Sequence, residues 1–405
     1  MKKEKWLLII GIICIACNLR AAITAVGALT LVIRDDLGLS NGLAGTLTTV
    51  PLIAFALFSP FVPRLTQRFG AGRVLLAGLV LMLAGEVVRS SDGTAGLFAG
   101  TLLLGLGIAT GNVLVPVVIK QQFPTRIGLL TGVHTTCMAI FAGLAAGVSI
   151  PLAVGAGLGW RFALGIWAVL TIVATLIWLP QAGTRKKEMQ PRKQDMGSIR
   201  AMYRSPLAWQ VTLFMGLQSL LFYSLVAWLP AIVQGFGFSA AIAGNMALLY
   251  QLISLPASFF VPLLVDRFRD QRAIALLGTS VYLCGMIAIF CGSRLGLLVL
   301  GVSLCGLGGG ACISLAMAFF GLRTESAQLA SQLSGTAQSL GYLLAAAGPL
   351  CLGLIYDHTG SWTIPLGLLI VVVACLLLCG FGAGRDATLQ TETDSRCKIN
   401  VGKKG

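Results

Sequence analysis

Twelve stretches of this 405-residue chain are each long and apolar enough to cross a lipid bilayer. They lie at approximately residues 6–33, 41–62, 74–90, 95–119, 127–152, 161–179, 207–233, 241–265, 273–291, 295–321, 327–353 and 361–384. A hydrocarbon core takes about 20 residues of helix to cross. Inside it every backbone amide must find its partner within the same segment. The chain is therefore expected to be an all-α polytopic membrane protein with twelve transmembrane helices. Composition points the same way: 57% of residues are hydrophobic and 11% charged, against about 25% charged in a soluble domain. The 50 glycines suit close helix packing in lipid.

The net charge of +15 raises the question of nucleic acid, and its distribution answers it. Of 29 Lys and Arg, 24 fall on one side: the N-terminus, the loops after every second helix, and the C-terminal tail. Arg34, Arg89, Arg161 and Arg294 fall on the other side, and Arg20 lies inside the first segment. This is positive-inside topology. It places both termini in the cytoplasm, the chain in the cytoplasmic membrane, and gives no reason to expect a nucleic-acid partner. The N-terminus resembles a signal peptide, but its apolar run continues past Arg20 to Ile33, so it is read as the first helix. The eleven cysteines are nearly all intramembrane and are read as small apolar residues. Cys14 and Cys17 form a C-x-x-C with no accompanying His or Cys cluster, so neither a metal nor a cofactor is expected.

The chain repeats itself. "RLTQRFGAGR" (64–73) aligns with "LLVDRFRDQR" (263–272) at an offset of 199, as does "LGLSNGLAG" (37–45) with "FGFSAAIAG" (236–244). "GLGIATG" (105–111) meets "GLGGGAC" (306–312) at 201, and "TGVHTTCMAIFAGLAAG" (131–147) meets "SGTAQSLGYLLAAAGPL" (334–350) at 203. Two pseudo-symmetric six-helix bundles of the same orientation follow, 1–180 and 207–385. A basic cytoplasmic linker, 181–206, joins them, and a polar tail, 386–405, is expected to be disordered.

Polar groups inside a membrane are costly, and each carries a functional question. Arg20 lies 14 residues from Trp6 and 13 from Ile33, roughly 20 Å from either end of its helix. Its helical neighbours are mostly small (Ala16, Cys17, Thr24, Gly27), which leaves room for a guest. The one acidic residue within a segment, Glu86, lies toward the outer side and at i,i+3 from Arg89, with which it is expected to pair. The sequence thus offers Arg20 no counterion. Either a bound anion offsets the charge or helix carbonyls hold it. His134 is the one intramembrane histidine; it is either a proton carrier or a neutral hydrogen-bonded residue at a helix crossing. Glu86 is a second proton-coupling candidate. Asn112 shares a face with Gly105, Ala109 and Pro116, either a cavity wall or a packing seam. In the second half Gln218 and Tyr223, and Gln338 with Tyr342, form polar stripes that either orient a solute or join helices.

The loop residues Arg68 and Arg73, and Asp266, Arg267 and Arg272 in the second copy, suggest a mechanical role such as locking one state. Plain topology signalling is the alternative. No metalloprotease, serine-hydrolase or P-loop motif is present, so an enzyme is not expected.

The twelve helices, the repeat and the loop motif together resemble the major facilitator superfamily over essentially the whole chain. That motif runs approximately G-x-L-x-D-R-x-G-x-R/K. The second copy keeps the acid as Asp266; the first has Gln67 in its place. More narrowly, "NLRAAITAVG", "GNVLVPVVIKQQFP", "GWRFALGIWA" and "QSLLFYSLVAWLP" resemble the cyanate/nitroimidazole transporter family. The resemblance implies a proton-linked or facilitative transporter for small solutes and fixes neither substrate nor direction; with the buried Arg20 the expectation is a monomeric alternating-access carrier for a small, anionic, cyanate-like solute. Arg20, Asn112, Gln218, Tyr223 and Gln338 are then the candidate substrate contacts. Efflux of neutral nitroimidazole-like compounds is the alternative within transport, and a membrane sensor the alternative outside it.

Overall fold

The computed structural model describes residues 2–39, 41–91, 93–183, 202–292 and 294–389. Most of the linker and of the tail lies outside them. The first half holds α1 (Lys2–Leu37), α2 (Asn41–Phe58), α3 (Val62–Phe69), α4 (Ala71–Arg89), α5 (Thr94–Gln122), α6 (Ile127–Ile150), α7 (Gly159–Gly165) and α8 (Trp167–Ala182). The second holds α9 (Pro206–Gly235), α10 (Ala240–Val265), α11 (Arg272–Phe290), α12 (Leu295–Leu322), α13 (Ala327–Thr359) and α14 (Thr363–Ala383).

Among the described residues eleven spans pass for length and hydropathy, and α2 with α3 makes the twelfth. That pair bends by 56°. Pro60 and Pro63 lie at the bend, where each lacks the N–H that would continue the helix. Serine starts several helices: Ser205, Ser239 and Ser326 accept from the backbone N–H of Ala208, Ile242 and Leu329 at the heads of α9, α10 and α13. Each such cap is worth about 1 kcal/mol.

The chain forms two compact units, Met1–Val115 with Val133–Pro191, and Pro116–Gly132 with Arg192–Gly405. The short segment 116–132, the end of α5 and the start of α6, thus belongs with the second half. In the first unit α1 packs on α2 and α8, and α4 on α8. In the second, α9 packs on α13 and α14, and α12 on α10 and α11.

Glycine sets the closest approaches, and it does so twice. Between α4 and α5, a Cβ on Gly85 would lie 2.5 Å from the Leu104 nitrogen, one on Gly100 2.3 Å from the Arg89 nitrogen, and one on Gly107 2.4 Å from the Gly78 oxygen. Between α11 and α12, a Cβ on Gly285 would lie 2.6 Å from the Cys305 nitrogen, one on Gly301 2.8 Å from the Ile289 nitrogen, and one on Gly308 2.5 Å from Tyr282 Cβ. Gly85, Gly100 and Gly107 correspond to Gly285, Gly301 and Gly308 at offsets of 200 and 201. The repeat in the sequence is a repeat of backbone contact.

Candidate substrate-binding site

The Asn-Leu-Arg of α1 divides its two polar residues between opposite faces, because positions two apart are about 200° apart on a helix. Asn18 faces α8. Its amide donates to the Leu170 carbonyl at 3.4 Å and to the Cys14 carbonyl at 2.8 Å, and its oxygen accepts from Thr171 Oγ1 at 2.7 Å. Asn18 is 1% exposed, so this clamp fixes the rotation of α1. Arg20 is half-buried, and its charge acts on His134 of α6. It engages the protein.

His134 is 1% exposed, and neither ring nitrogen has a hydrogen-bond partner. A buried polar atom left unpaired costs about 1–3 kcal/mol. An imidazole always carries at least one N–H, so the ring can serve a guest lying between it and Arg20.

Glu86 and Arg89 act on each other electrostatically, as their spacing suggests, while the guanidinium hydrogen bonds go elsewhere. Both are fully buried. The Arg89 guanidinium donates instead to the carbonyls of Ala22 on α1, at 2.7 Å, and Leu164 on α7, at 3.4 Å. It is a cross-brace for three helices. Glu86 lies beside Thr171 of α8. Spacing along a helix sets which residues are neighbours; the carbonyls that α1 and α7 offer decide where a five-donor fork points.

Asn112 is 3% exposed on α5. Pro116, four residues on, carries no N–H, so the Asn112 carbonyl lacks its intrahelical donor. In the second unit Gln218 is 3% exposed and donates to the Met215 carbonyl and to Ser219 Oγ, bonds on its own helix. Tyr223 meets Phe222 edge-on at 5.2 Å and Tyr342 at 6.4 Å, and Phe222 lies 6.3 Å from Tyr250. Gln338 is fully buried on α13, one turn from Tyr342. The structure therefore groups Arg20 with His134 in the first unit, and Tyr223 with Tyr342 in the second.

The loop residues behave unequally. Arg68 and Arg73 are exposed, Arg68 lying over its neighbour Phe69. Arg272 pairs with Asp270 at 3.8 Å and lies over Phe381, while Arg267 is exposed. Asp266 accepts from the backbone N–H of Gly128 and Leu129, capping α6.

Two basic residues beyond those singled out in the sequence have comparable roles. Lys120, at the end of α5, donates to the Gly321 carbonyl at 2.5 Å and to that of Thr324, covering the C-terminus of α12. Arg323, just past α12, donates to the carbonyls of Ala383 and Gly384 and to the Gln271 amide oxygen. Burial lowers its guanidinium to about 10, still charged at neutral pH. Their signal in the sequence is a cation placed where a helix C-terminus has bare carbonyls. It shows only once the neighbouring helix is known.

The remaining family-like stretches also acquire reasons. In "GWRFALG", Trp160 Nε1 donates to Asp36 at 2.8 Å and Arg161 pairs with the same carboxylate at 3.2 Å. In "FYSLVAWLP", Trp228 Nε1 donates to the Pro349 carbonyl at 2.8 Å.

Known proteins match over the full length. The uncharacterized transporter YycB of Bacillus subtilis is 48% identical over 385 residues, 95% of each chain. The 2-nitroimidazole transporter of Escherichia coli is 39% identical over 389 residues, 96% of this chain and 98% of that one. The cyanate transport protein CynX of the same organism is 26% identical over 359 residues, 88% and 91%. Among solved structures the proton:xylose symporter XylE superposes with a TM-score of 0.77 at 13% identity, covering 96% and 98%; that likeness shows the fold. The family model of the Major Facilitator Superfamily matches residues 8–349 and 229–392. The protein is a multi-pass membrane transporter of small solutes with the twelve-helix fold, and it belongs to the major facilitator superfamily.

Proposed function

We propose that the protein carries a small anion, bound at Arg20 and His134, by alternating access across the cytoplasmic membrane. The observation that carries this reading is the buried imidazole without a hydrogen-bond partner, on which the charge of Arg20 acts. An anion between the two takes an N–H from each. Arginine's planar fork suits a flat oxyanion or a linear pseudohalide. The cyanate transport protein among the relatives supports this class of cargo. The basic residues that flank alternate loops support cytoplasmic termini, and both bundles in one chain support a monomer.

The same geometry supports coupling to a proton. An inside-negative potential opposes entry of a monovalent anion by about 2.3 kcal/mol per 100 mV. A proton carried on His134 cancels that charge. An imidazolium facing Arg20 alone would meet like charge, whereas an anion between them favours it. Anion and proton then bind together and leave together. Glu86, buried between α4 and α8 beside Thr171, is the weaker candidate.

The Asp266 cap on α6 is proposed as a contact made in one state of the cycle and broken in the other. Arg267 and Arg272 follow it in sequence as the basic part of the second copy of the loop motif, and Arg68 and Arg73 hold the corresponding positions in the first copy.

A second reading has its own observation. The aromatic row Phe222, Tyr223, Tyr250 and Tyr342 offers faces and edges to a planar ring, and the relative at 39% identity is named for 2-nitroimidazole. Counterflow in proteoliposomes separates the two. Internal cyanate or nitrite that drives exchange in the wild type and fails in Arg20→Ala supports the anion. Exchange of 2-nitroimidazole at equal rates in both supports the ring.

A further inference from the structure

Tyr250 of α10 and Tyr282 of α11 are both buried, and their hydroxyl oxygens lie 3.4 Å apart, a long hydrogen bond. Tyr250 ends the aromatic row, its ring 6.3 Å from that of Phe222. Tyr282 packs against α12 and reaches the row through the hydroxyl contact. Three successive glycines of α12 make room for this. A Cβ on Gly308 would lie 2.5 Å from Tyr282 Cβ, one on Gly309 3.1 Å from the Tyr250 hydroxyl oxygen, and one on Gly310 2.3 Å from the Ser254 carbonyl oxygen. The first bundle has the same packing without the phenols. There Gly107 faces Met82 and Gly105 faces Pro51, as Gly308 faces Tyr282 and Gly306 faces Tyr250. Met82 and Pro51 correspond to Tyr282 and Tyr250 at offsets of 200 and 199. The fold is thus served at these positions by side chains with no polar hydrogen. Two hydroxyls are costly to bring into an apolar interior, so the second bundle has a use for them that packing does not supply.

We propose that Tyr282 is a positioning residue for the cargo: it turns the O–H of Tyr250 toward the aromatic row, so that the row favours a planar ring bearing a hydrogen-bond acceptor. This rests on the reading that a planar ring binds at Phe222, Tyr223, Tyr250 and Tyr342. Each phenol has one O–H to give. Among the described residues the Tyr282 hydroxyl has one hydrogen-bond partner, the Tyr250 oxygen, and a buried O–H left unspent is destabilising. Tyr282 therefore donates and Tyr250 accepts. The hydrogen of Tyr250 is then directed away from Tyr282, where an acceptor on a ring lying against the row can take it. In the reverse arrangement the Tyr250 oxygen would offer lone pairs alone and would repel that acceptor. A nitro group suits the site, being flat, uncharged and coplanar with its ring. Tyr282 touches no cargo and acts through Tyr250.

The test measures exchange of 2-nitroimidazole by full-length protein in proteoliposomes, at mildly acid pH. The competitor is 2-(trifluoromethyl)imidazole, a neutral ring of similar size whose substituent is a poor acceptor. Tyr282→Phe is expected to raise the half-saturating concentration of 2-nitroimidazole about five- to tenfold, to keep the maximal rate, and to leave inhibition by the trifluoromethyl ring unchanged. Tyr250→Phe is expected to do the same, and Tyr282→Phe added to it to change nothing more. Tyr282→Met, with the side chain that Met82 has in the first bundle, takes its place if the phenylalanine variant fails to fold. Equal weakening for both rings, or effects of the two variants that multiply, would show a plain packing role and overturn the proposal. A shift in Tyr250→Phe with none in Tyr282→Phe overturns the positioning and leaves the ring reading standing. Unchanged 2-nitroimidazole exchange in both Tyr250→Phe and Phe222→Ala overturns the two together.

Discussion

The carboxylate of Asp266 sits on the first turn of α6, accepting from the Gly128 N–H at 2.7 Å and from the Leu129 N–H at 3.0 Å. A helix N-terminus carries unpaired donors and partial positive charge, and a carboxylate answers both. The fit depends on Gly128: a Cβ there would lie 1.9 Å from the Pro262 carbonyl oxygen and 2.8 Å from Asp266 Cγ. Loss of such a cap costs about 1 kcal/mol, about fivefold in a two-state population. Asp266→Ala is therefore expected to keep the fold and to shift the carrier between its states. Labelling of a single cysteine placed beside Gly128 should rise by about that factor. Gly128→Ala should do the same more strongly, because α6 and α10 must separate to admit the methyl group. Unchanged labelling in both variants would show that the cap does not hold a state.

The doubled glycine seam gives a paired expectation. Forcing a side chain into a filled interface costs about 1–3 kcal/mol. Gly85→Val and Gly285→Val should lower the thermal unfolding temperature in detergent, and by similar amounts, since both meet a backbone nitrogen at close range. A large drop in one and none in the other would mean that the two helix pairs do not rest on their glycines alike.

Arg89 is a brace, so charge alone should not restore it. Arg89→Lys keeps the charge and loses the fork, and with one short ammonium it cannot reach both Ala22 and Leu164. Removing one partner of a buried charged network costs about 3–5 kcal/mol. Arg89→Lys is expected to lower the unfolding temperature nearly as far as Arg89→Met. Full rescue of stability by lysine would return Arg89 to a simple ionic role.

Proton coupling distinguishes His134 from Glu86. If the imidazole travels with the anion, uptake should rise as the outside pH falls, and His134→Gln should flatten that dependence. Glu86→Gln should leave it in place, since Glu86 lies on α4 beside Thr171, which donates to Asn18, the residue on the face of α1 opposite Arg20. A pH profile flattened by Glu86→Gln and kept by His134→Gln would reverse the assignment.

Length and hydropathy made the twelve segments legible, because lipid leaves the backbone few choices, and the sequence repeat returns in the paired glycine contacts of Gly85 and Gly285. Arg20 stood out because a charge inside an apolar run is conspicuous. What the sequence concealed were partners decided by tertiary contact. Arg89 reads as the helical neighbour of Glu86 until the carbonyls of Ala22 and Leu164 arrive from other helices. Lys120 reads as a topology signal until the end of α12 lies under it. Gln218 reads as a solute ligand, yet its amide donates to its own helix.

The central claim is that Arg20 and His134 together hold an anion, and ligand-induced thermal stabilisation of the purified carrier tests it most directly. A ligand at one hundred times its dissociation constant stabilises the protein it binds by about 2.7 kcal/mol. Cyanate and nitrite are expected to raise the unfolding temperature of the wild type, less so in Arg20→Lys and His134→Gln, and not at all in Arg20→Gln. Equal stabilisation of Arg20→Gln and wild type by the same anions would contradict the claim.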